Sequence, residues 1–303
     1  MNDSDALVAG EILQVPYSAG SAPPRIPLPL GATDCHHHIF DPRFPEHQGV
    51  LPLEPAYRTL APDVHAYRLF KRRLGLTRSV LIAPSNYGDD NACLIDALQA
   101  FGPDAARGVA IVAPEVSDTE LDRLHRHGVR GIRVYLAKAR APDPAQLQRL
   151  AHRASDRGWH LQLVGDRHTE VLADWQPLLA RLPCRIVIDH LGFVPQPGGG
   201  ASTTATTVRN LLDGGNAYVK LSAVYVQSTA GYPDYQDVDP WASELVRIAP
   251  DRMLWGSDWP HVGATTQKPD GARLVDRLAV WAADPAVRRR ILVDNPAALY
   301  WAD

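Results

Sequence analysis

Between positions 34 and 38 the chain reads Asp34-Cys35-His36-His37-His38. In an extended strand successive side chains alternate between faces, so His36 and His38 point to one side and His37 to the other. Two neutral imidazoles separated by one residue can ligate a metal together, or both hold a substrate's carbonyl oxygen by hydrogen bonds. A His-x-His pair standing alone can equally be a polar cluster without chemistry. Two further segments add weight: Ile188-Asp189-His190-Leu191-Gly192 and Trp255-Gly256-Ser257-Asp258-Trp259-Pro260-His261. Taken singly, His190 reads as a satisfied core histidine and Asp258 as a helix cap. Together with the first pair they put ionisable groups at the ends of three apolar strand-like runs, which is where barrel enzymes carry their chemistry.

Eight runs rich in Val, Ile and Leu read as strands: Thr33 to Phe40, Ser79 to Pro84, Gly108 to Val112, Gly131 to Leu136, His160 to Val164, Arg185 to His190, Tyr218 to Ala223 and Met253 to Ser257. Segments with helical periodicity lie between them: Asn91 to Phe101, Thr119 to His127, Pro144 to Arg157, His168 to Leu182, Thr206 to Leu212, Pro240 to Ala249 and Gly271 to Ala283. Ala286 to Leu292 and Asn295 to Tyr300 complete the outer layer. The alternation predicts an α/β fold, and eight strands are what a closed (β/α)8 TIM barrel requires. A doubly wound open sheet is the structural alternative, but no Gly-x-Gly-x-x-Gly follows the first strand to signal dinucleotide binding. Four prolines between Ser18 and Leu30 predict an extended arm over residues 1–30, followed by a single barrel domain over 31–303. The low-complexity stretch Gly198 to Thr207 reads as a mobile loop on the catalytic face.

With 303 residues, 45% hydrophobic and 21% charged, the chain has ample material for one large core. A net charge of -3 without a run of Lys or Arg offers no footprint for nucleic acid or an anionic membrane. A small-molecule partner is the expectation, and the sequence leaves a homo-oligomer open. Three scattered cysteines, Cys35, Cys93 and Cys184, suit a reducing compartment. Neither a signal peptide nor an apolar run of ~18 residues is legible, so the expected location is cytoplasmic.

The ordered set Asp34 to Pro42, Gly131-Ile132-Arg133, Trp159 to Leu163, Ile188 to Gly192, Lys220-Leu221-Ser222 and Leu254 to Pro260 resembles the amidohydrolase superfamily, and within it the amidohydrolase-2 type lactonases. The resemblance implies that His36, His38 and His190 are catalytic and that Asp258 is the general base. It implies a small acidic lactone as substrate, in the breakdown of aromatic compounds: a muconolactone, the 4-sulfonated one included, a pyrone dicarboxylate or a sugar-acid lactone. It leaves the cofactor open between one zinc ion on His36, His38 and Asp258 and a metal-free site. Two departures weaken the metal reading. Strand four reads Ile132-Arg133-Val134-Tyr135 where binuclear members carry a lysine, and Gln162 replaces the strand-five histidine unless His160 is the inward residue. No arginine follows Lys220-Leu221-Ser222 either, which counts against a pyrone dicarboxylate.

Arg133 is the leading candidate for gripping a substrate carboxylate or sulfonate, because its planar fork pairs with such groups through two bonds. The alternative for Arg133 is a surface ion pair. Ser85, Asn86, Tyr135, Gln162 and Tyr225 stand at strand ends and are expected to line the substrate site. Lys220 reads as structural in preference to an anion contact. His261 is expected to support the site from behind, and Trp255 and Trp259 to pack. Three rival readings accompany lactone hydrolysis: a lactone isomerase, a metal-dependent decarboxylase of the same superfamily, and a ligand-binding barrel without catalysis.

Overall fold

The computed structural model describes residues 15–48, 52–137, 140–166 and 168–302. In chain order the first half runs β1 (Thr33–His37), α1 (Pro55–Thr59), α2 (Val64–Leu74), β2 (Arg78–Ile82), α3 (Ala92–Phe101), β3 (Ala106–Ala110), α4 (Asp118–Arg126), β4 (Val129–Tyr135) and α5 (Pro144–Ser155). The second half runs β5 (His160–Val164), α6 (Val171–Leu179), β6 (Ile186–Ile188), α7 (Thr203–Asp213), β7 (Ala217–Leu221), α8 (Val224–Gln227), α9 (Asp239–Ile248) and β8 (Met253–Trp255). Helices α10 (Gly271–Asp276), α11 (Leu278–Trp281), α12 (Pro285–Arg289) and α13 (Asn295–Tyr300) follow. The strands are parallel and neighbour one another in sequence order, forming a (β/α)8 barrel.

Strands buried on both faces need apolar side chains on both, which is why β6 reads Ile-Val-Ile without alternation. One set, with Leu81, Ile132, Leu161 and Ile188, packs against the helices. The opposite set, with Val80, Ile82, Val109, Val187 and Leu254, fills the barrel interior together with Leu299 and Tyr300 of α13. A register shift between Asp34 and His37 brings Cys35 into that inner cluster.

The barrel closes between β1 and β8 without a regular ladder. Instead, Asp258 N donates to the His36 carbonyl (2.7 Å) and His38 N to the Trp259 carbonyl (2.8 Å). The buried Asp34 carboxylate accepts from His36 N (3.1 Å), Ser257 N (2.8 Å), Ser257 Oγ (2.6 Å) and Tyr67 Oη (3.0 Å). Gly256 is required at this join, since a Cβ there would lie 2.6 Å from His36 Cβ.

Several sequence expectations are corrected. The stretch Gly198 to Thr207 is not a loop throughout: α7 starts at Thr203, with Ser202 Oγ accepting from Ala205 N as its cap and Thr204, Ala205 and Thr207 buried. The helical segments named from sequence include none between the first two strands, where α1 and α2 lie. In α2 the buried Ala66, Tyr67, Phe70 and Leu74 keep helical spacing, and Asp63 caps it, but Lys71, Arg72 and Arg73 mask the apolar stripe. The first strand stops at His37 rather than Phe40, the sixth at Ile188 rather than His190, and the eighth at Trp255 rather than Ser257. At His190 and Asp258 the backbone turns into the left-handed region (φ 52° and 60°). The segment Gly271 to Ala283 divides into α10 and α11.

Residues 15–30 contain neither helix nor strand, and residues 1–14 of the expected arm lie outside the described residues. Buried Arg73 of α2 holds this segment by donating to the Gly20 carbonyl (2.7 Å) and Ser18 Oγ (3.0 Å), while pairing with Asp270 (2.8 Å). All three cysteines are free and buried. Among the described residues no helix is long and apolar enough to cross a membrane.

Candidate active site

Three histidines and one aspartate meet at the C-terminal mouth of the barrel. The Nε2 atoms of His36, His38 and His190 lie 3.4, 3.8 and 3.9 Å from Asp258 Oδ1. All four residues are buried. His37, on the other face, stacks on Tyr67 with ring centroids 3.5 Å apart. Asp258 is turned inward by its left-handed backbone, and its Oδ2 accepts from the Tyr225 hydroxyl, which leaves Oδ1 as the oxygen presented to the histidines. His190 is fixed by a 2.8 Å hydrogen bond between Nδ1 and Ser222 Oγ, and by Gln227 Nε2 donating to its carbonyl (3.1 Å).

A second layer lies beneath. Asp189 Oδ2 accepts from Gln162 Nε2 (3.0 Å), and Lys220 Nζ donates to Gln162 Oε1 (2.6 Å). Lys220 Nζ also lies 3.2 Å from His36 Nδ1 and 3.6 Å from Asp189 Oδ1. Arg133, adjacent to Gln162 in the sheet, donates to the Ala83 carbonyl (3.0 Å) and approaches Asp189 to 4.0 Å. It is buried, so the surface ion pair considered for it is excluded. Gln162 is the strand-five residue in contact with the cluster. His160 sits lower in the barrel, against the Tyr300 ring at 5.2 Å, and Gly131 leaves it room.

Burial sets the protonation states. It lowers His36 well below the usual imidazole value, helped by the charge of Lys220, and pushes His38 to about 3 with Arg133 contributing. His190 is lowered by the same burial. Three neutral imidazoles therefore face Asp258, whose own carboxyl burial raises. Burial would also raise Asp189, but the neighbouring His36 ring and the Lys220 ammonium hold it well below the usual carboxylate range. Lys220 is lowered to about 8 by burial, against the pull of Asp189.

Two groups of side chains are close enough to surround one metal ion, His36/His38/Asp258 and His36/Asp189/His190, with donor atoms within 4.8 Å of one another. Proximity suits an ion, but the surrounding charge does not. The Lys220 ammonium already lies against both His36 and Asp189, and the Arg133 guanidinium stands on the far side of Asp189. No lysine is present on β4, and an amide stands on β5. These residues do not fit a metal held through His36.

The other expected substrate residues divide. Tyr225 belongs to the cluster through Asp258. Tyr135 lies under two guanidinium groups, Arg133 at 5.2 Å and Arg140 at 3.8 Å from its ring centroid. Ser85 and Asn86 form a 3-10 turn after β2, where the Asn86 carbonyl accepts from His47 N (2.8 Å), and neither enters the hydrogen bonds just described. His261 lies buried behind Tyr225, ring centroids 5.7 Å apart, and Trp259 packs among Tyr67 and Phe70.

Two residues of the lower layer did not emerge as site residues from sequence. Asp189 lies two positions beyond Val187, an interior residue, so strand alternation points it inward. Lys220 pairs in register with Leu254, also interior. An inward lysine in an otherwise apolar strand was the available signal.

Residues 33–301 match the sequence model of the family described as amidohydrolase. The chain is 33% identical over 300 residues to a 2-pyrone-4,6-dicarboxylate hydrolase of Comamonas testosteroni, covering 95% of each chain. It is 35% identical over 292 residues to a 4-sulfomuconolactone hydrolase of Rhizobium radiobacter, covering 93% of this chain and 94% of that one. Over 284 residues it is 29% identical to a D-galactarolactone isomerase of Agrobacterium fabrum, again 93% and 94% of the two chains.

Proposed function

We propose, from the premise that this chain belongs to the amidohydrolase family, that it is a hydrolase opening the ester bond of a small lactone that carries an acidic substituent. The observation carrying this reading is the convergence of three neutral imidazole nitrogens on one buried carboxylate oxygen, Asp258 Oδ1. At 3.4 to 3.9 Å these separations exceed direct hydrogen bonds, so each group keeps capacity for a ligand.

Asp258 takes a proton from water as the water oxygen bonds to the lactone carbonyl carbon. The carbonyl electron pair moves to oxygen, where imidazole N–H groups receive the developing charge. Collapse restores the carbonyl and breaks the ring C–O bond, and the proton on Asp258 passes to the departing alkoxide. Arg133 supplies the contact for the acidic substituent, since its fork carries more N–H groups than the Ala83 carbonyl occupies. A 4-sulfomuconolactone or an unsulfonated muconolactone fits this chemistry. No step requires a metal.

Asp258→Asn keeps the shape of the residue and removes the base. Its kcat on every accepted lactone is expected to fall by roughly 10²- to 10⁴-fold, read by titrating released acid. Undiminished turnover would overturn the assignment. NMR of the wild-type product separates the readings: a ring-opened acid supports hydrolysis, and a rearranged lactone supports isomerisation instead.

A further inference from the structure

His36 and His38 face the same oxygen of Asp258, yet their far nitrogens meet partners of opposite kind. His38 Nδ1 lies 2.7 Å from the Ile82 carbonyl, which can only accept. A neutral imidazole carries one proton, so in His38 it is on Nδ1 and Nε2 presents a lone pair. His36 Nδ1 lies 3.2 Å from Lys220 Nζ, and an ammonium can only donate. The competing partner, Asp189 Oδ1, is slightly farther from the same nitrogen, at 3.3 Å, and poorly aligned with it, and the other Asp189 oxygen is taken by Gln162. With the ammonium as the nearer partner, His36 Nδ1 is the acceptor and the His36 proton falls to Nε2, a buried nitrogen with no hydrogen-bond partner of its own.

We propose that Lys220 is a positioning residue that places a proton on His36 Nε2, so that His36 donates to the substrate carbonyl oxygen while His38, in the opposite tautomer, accepts a hydrogen bond from the attacking water. The inference rests on the lactone-hydrolysis reading and divides its labour. The attacking water has two protons and meets two acceptors, Asp258 Oδ1, which takes one proton as the C–O bond forms, and His38 Nε2, which orients the other. The same arrangement accounts for the poor fit to a metal, because a protonated Nε2 has no lone pair to give. Gln162 completes the device: its Oε1 anchors the ammonium at 2.6 Å and its amide nitrogen is turned to Asp189.

The test is nitrogen-15 NMR on protein with labelled histidine, the His36 and His38 signals being assigned from His36→Gln and His38→Gln. In the wild type His36 is expected as the Nε2–H tautomer and His38 as Nδ1–H, and His36 found as Nδ1–H overturns the proposal before any lysine variant is made. Lys220→Met removes the donor at similar length. It is expected to move the His36 proton to Nδ1, toward Asp189, to lower kcat on the order of 10²-fold with KM little changed, and to tighten Co2+ binding by about tenfold or more, read from the cobalt absorption spectrum. A Lys220→Met protein with wild-type fold by circular dichroism and an unchanged His36 tautomer refutes the role. Correct tautomers in a protein that opens no lactone would sink the activity and leave the tautomer assignment standing. Lactone hydrolysis with His36 as Nδ1–H would do the reverse.

Discussion

At Asp258 the left-handed backbone and the Tyr225 hydroxyl act on one carboxylate: the first aims Oδ1 into the mouth of the barrel and the second occupies Oδ2. Burial raises the Asp258 carboxyl and the Tyr225 hydrogen bond opposes that rise. As the proposed base, Asp258 works only when ionised, so kcat/KM is expected to fall on acidification through a value above the usual carboxylate range. In Tyr225→Phe the opposing hydrogen bond is gone, so that acid limb should move to higher pH and kcat/KM should drop by about tenfold. A limb that stays or moves to lower pH would count against the contact. The upper layer of the candidate site was legible in sequence because each member stands at or just past the end of an apolar strand, whereas the left-handed turns that aim His190 and Asp258 were not. Asp189 and Lys220 were harder to see because their meaning is pairwise: a buried lysine becomes a site residue only when the carboxylate, amide and imidazole around it are known, and these come from β1, β5 and the end of β6.

Elements meet at the join between β1 and β8, where one carboxylate does much of what a strand ladder does elsewhere. Asp34 gathers donors from its own strand, from Ser257 and from Tyr67 of α2. Asp34→Ala leaves those buried donors unsatisfied and should cost about 3 kcal/mol, seen as an earlier midpoint in urea. A midpoint within error of wild type would show that the join is held by packing alone. The strand count and parallel order were readable from composition, since only strands covered on both faces are so uniformly apolar. Helix α2 was not, because three consecutive basic residues interrupt its stripe, and one of them, Arg73, is turned inward to bind the arm. Only the first turn of helix α7 escaped notice, the helix being expected from Thr206, because its opening threonines and alanine read as low complexity, although Ser202 caps it and Thr204 and Thr207 are buried.

On the scale of the whole molecule, Arg73 ties together chain segments far apart in sequence: the arm at Ser18 and Gly20, α2 and Asp270 before α10. Arg73→Met should lower the melting temperature, since breaking a buried pair from one side costs about 3 kcal/mol or more. An unshifted melt would make the arm a passive covering. The β1–β8 join bears differently on the working lifetime of the enzyme. Asp258 hydrogen-bonds across it through its own backbone, so the proposed base and two of the histidines facing it belong to opposite lips of the least regular junction in the barrel. Regions with few ladder bonds open first under mild denaturant. Catalysis should therefore report fraying of that junction, with turnover lost at urea concentrations where the far-ultraviolet circular dichroism is still that of the native protein. Coincident midpoints would mean that the ring opens only when everything does.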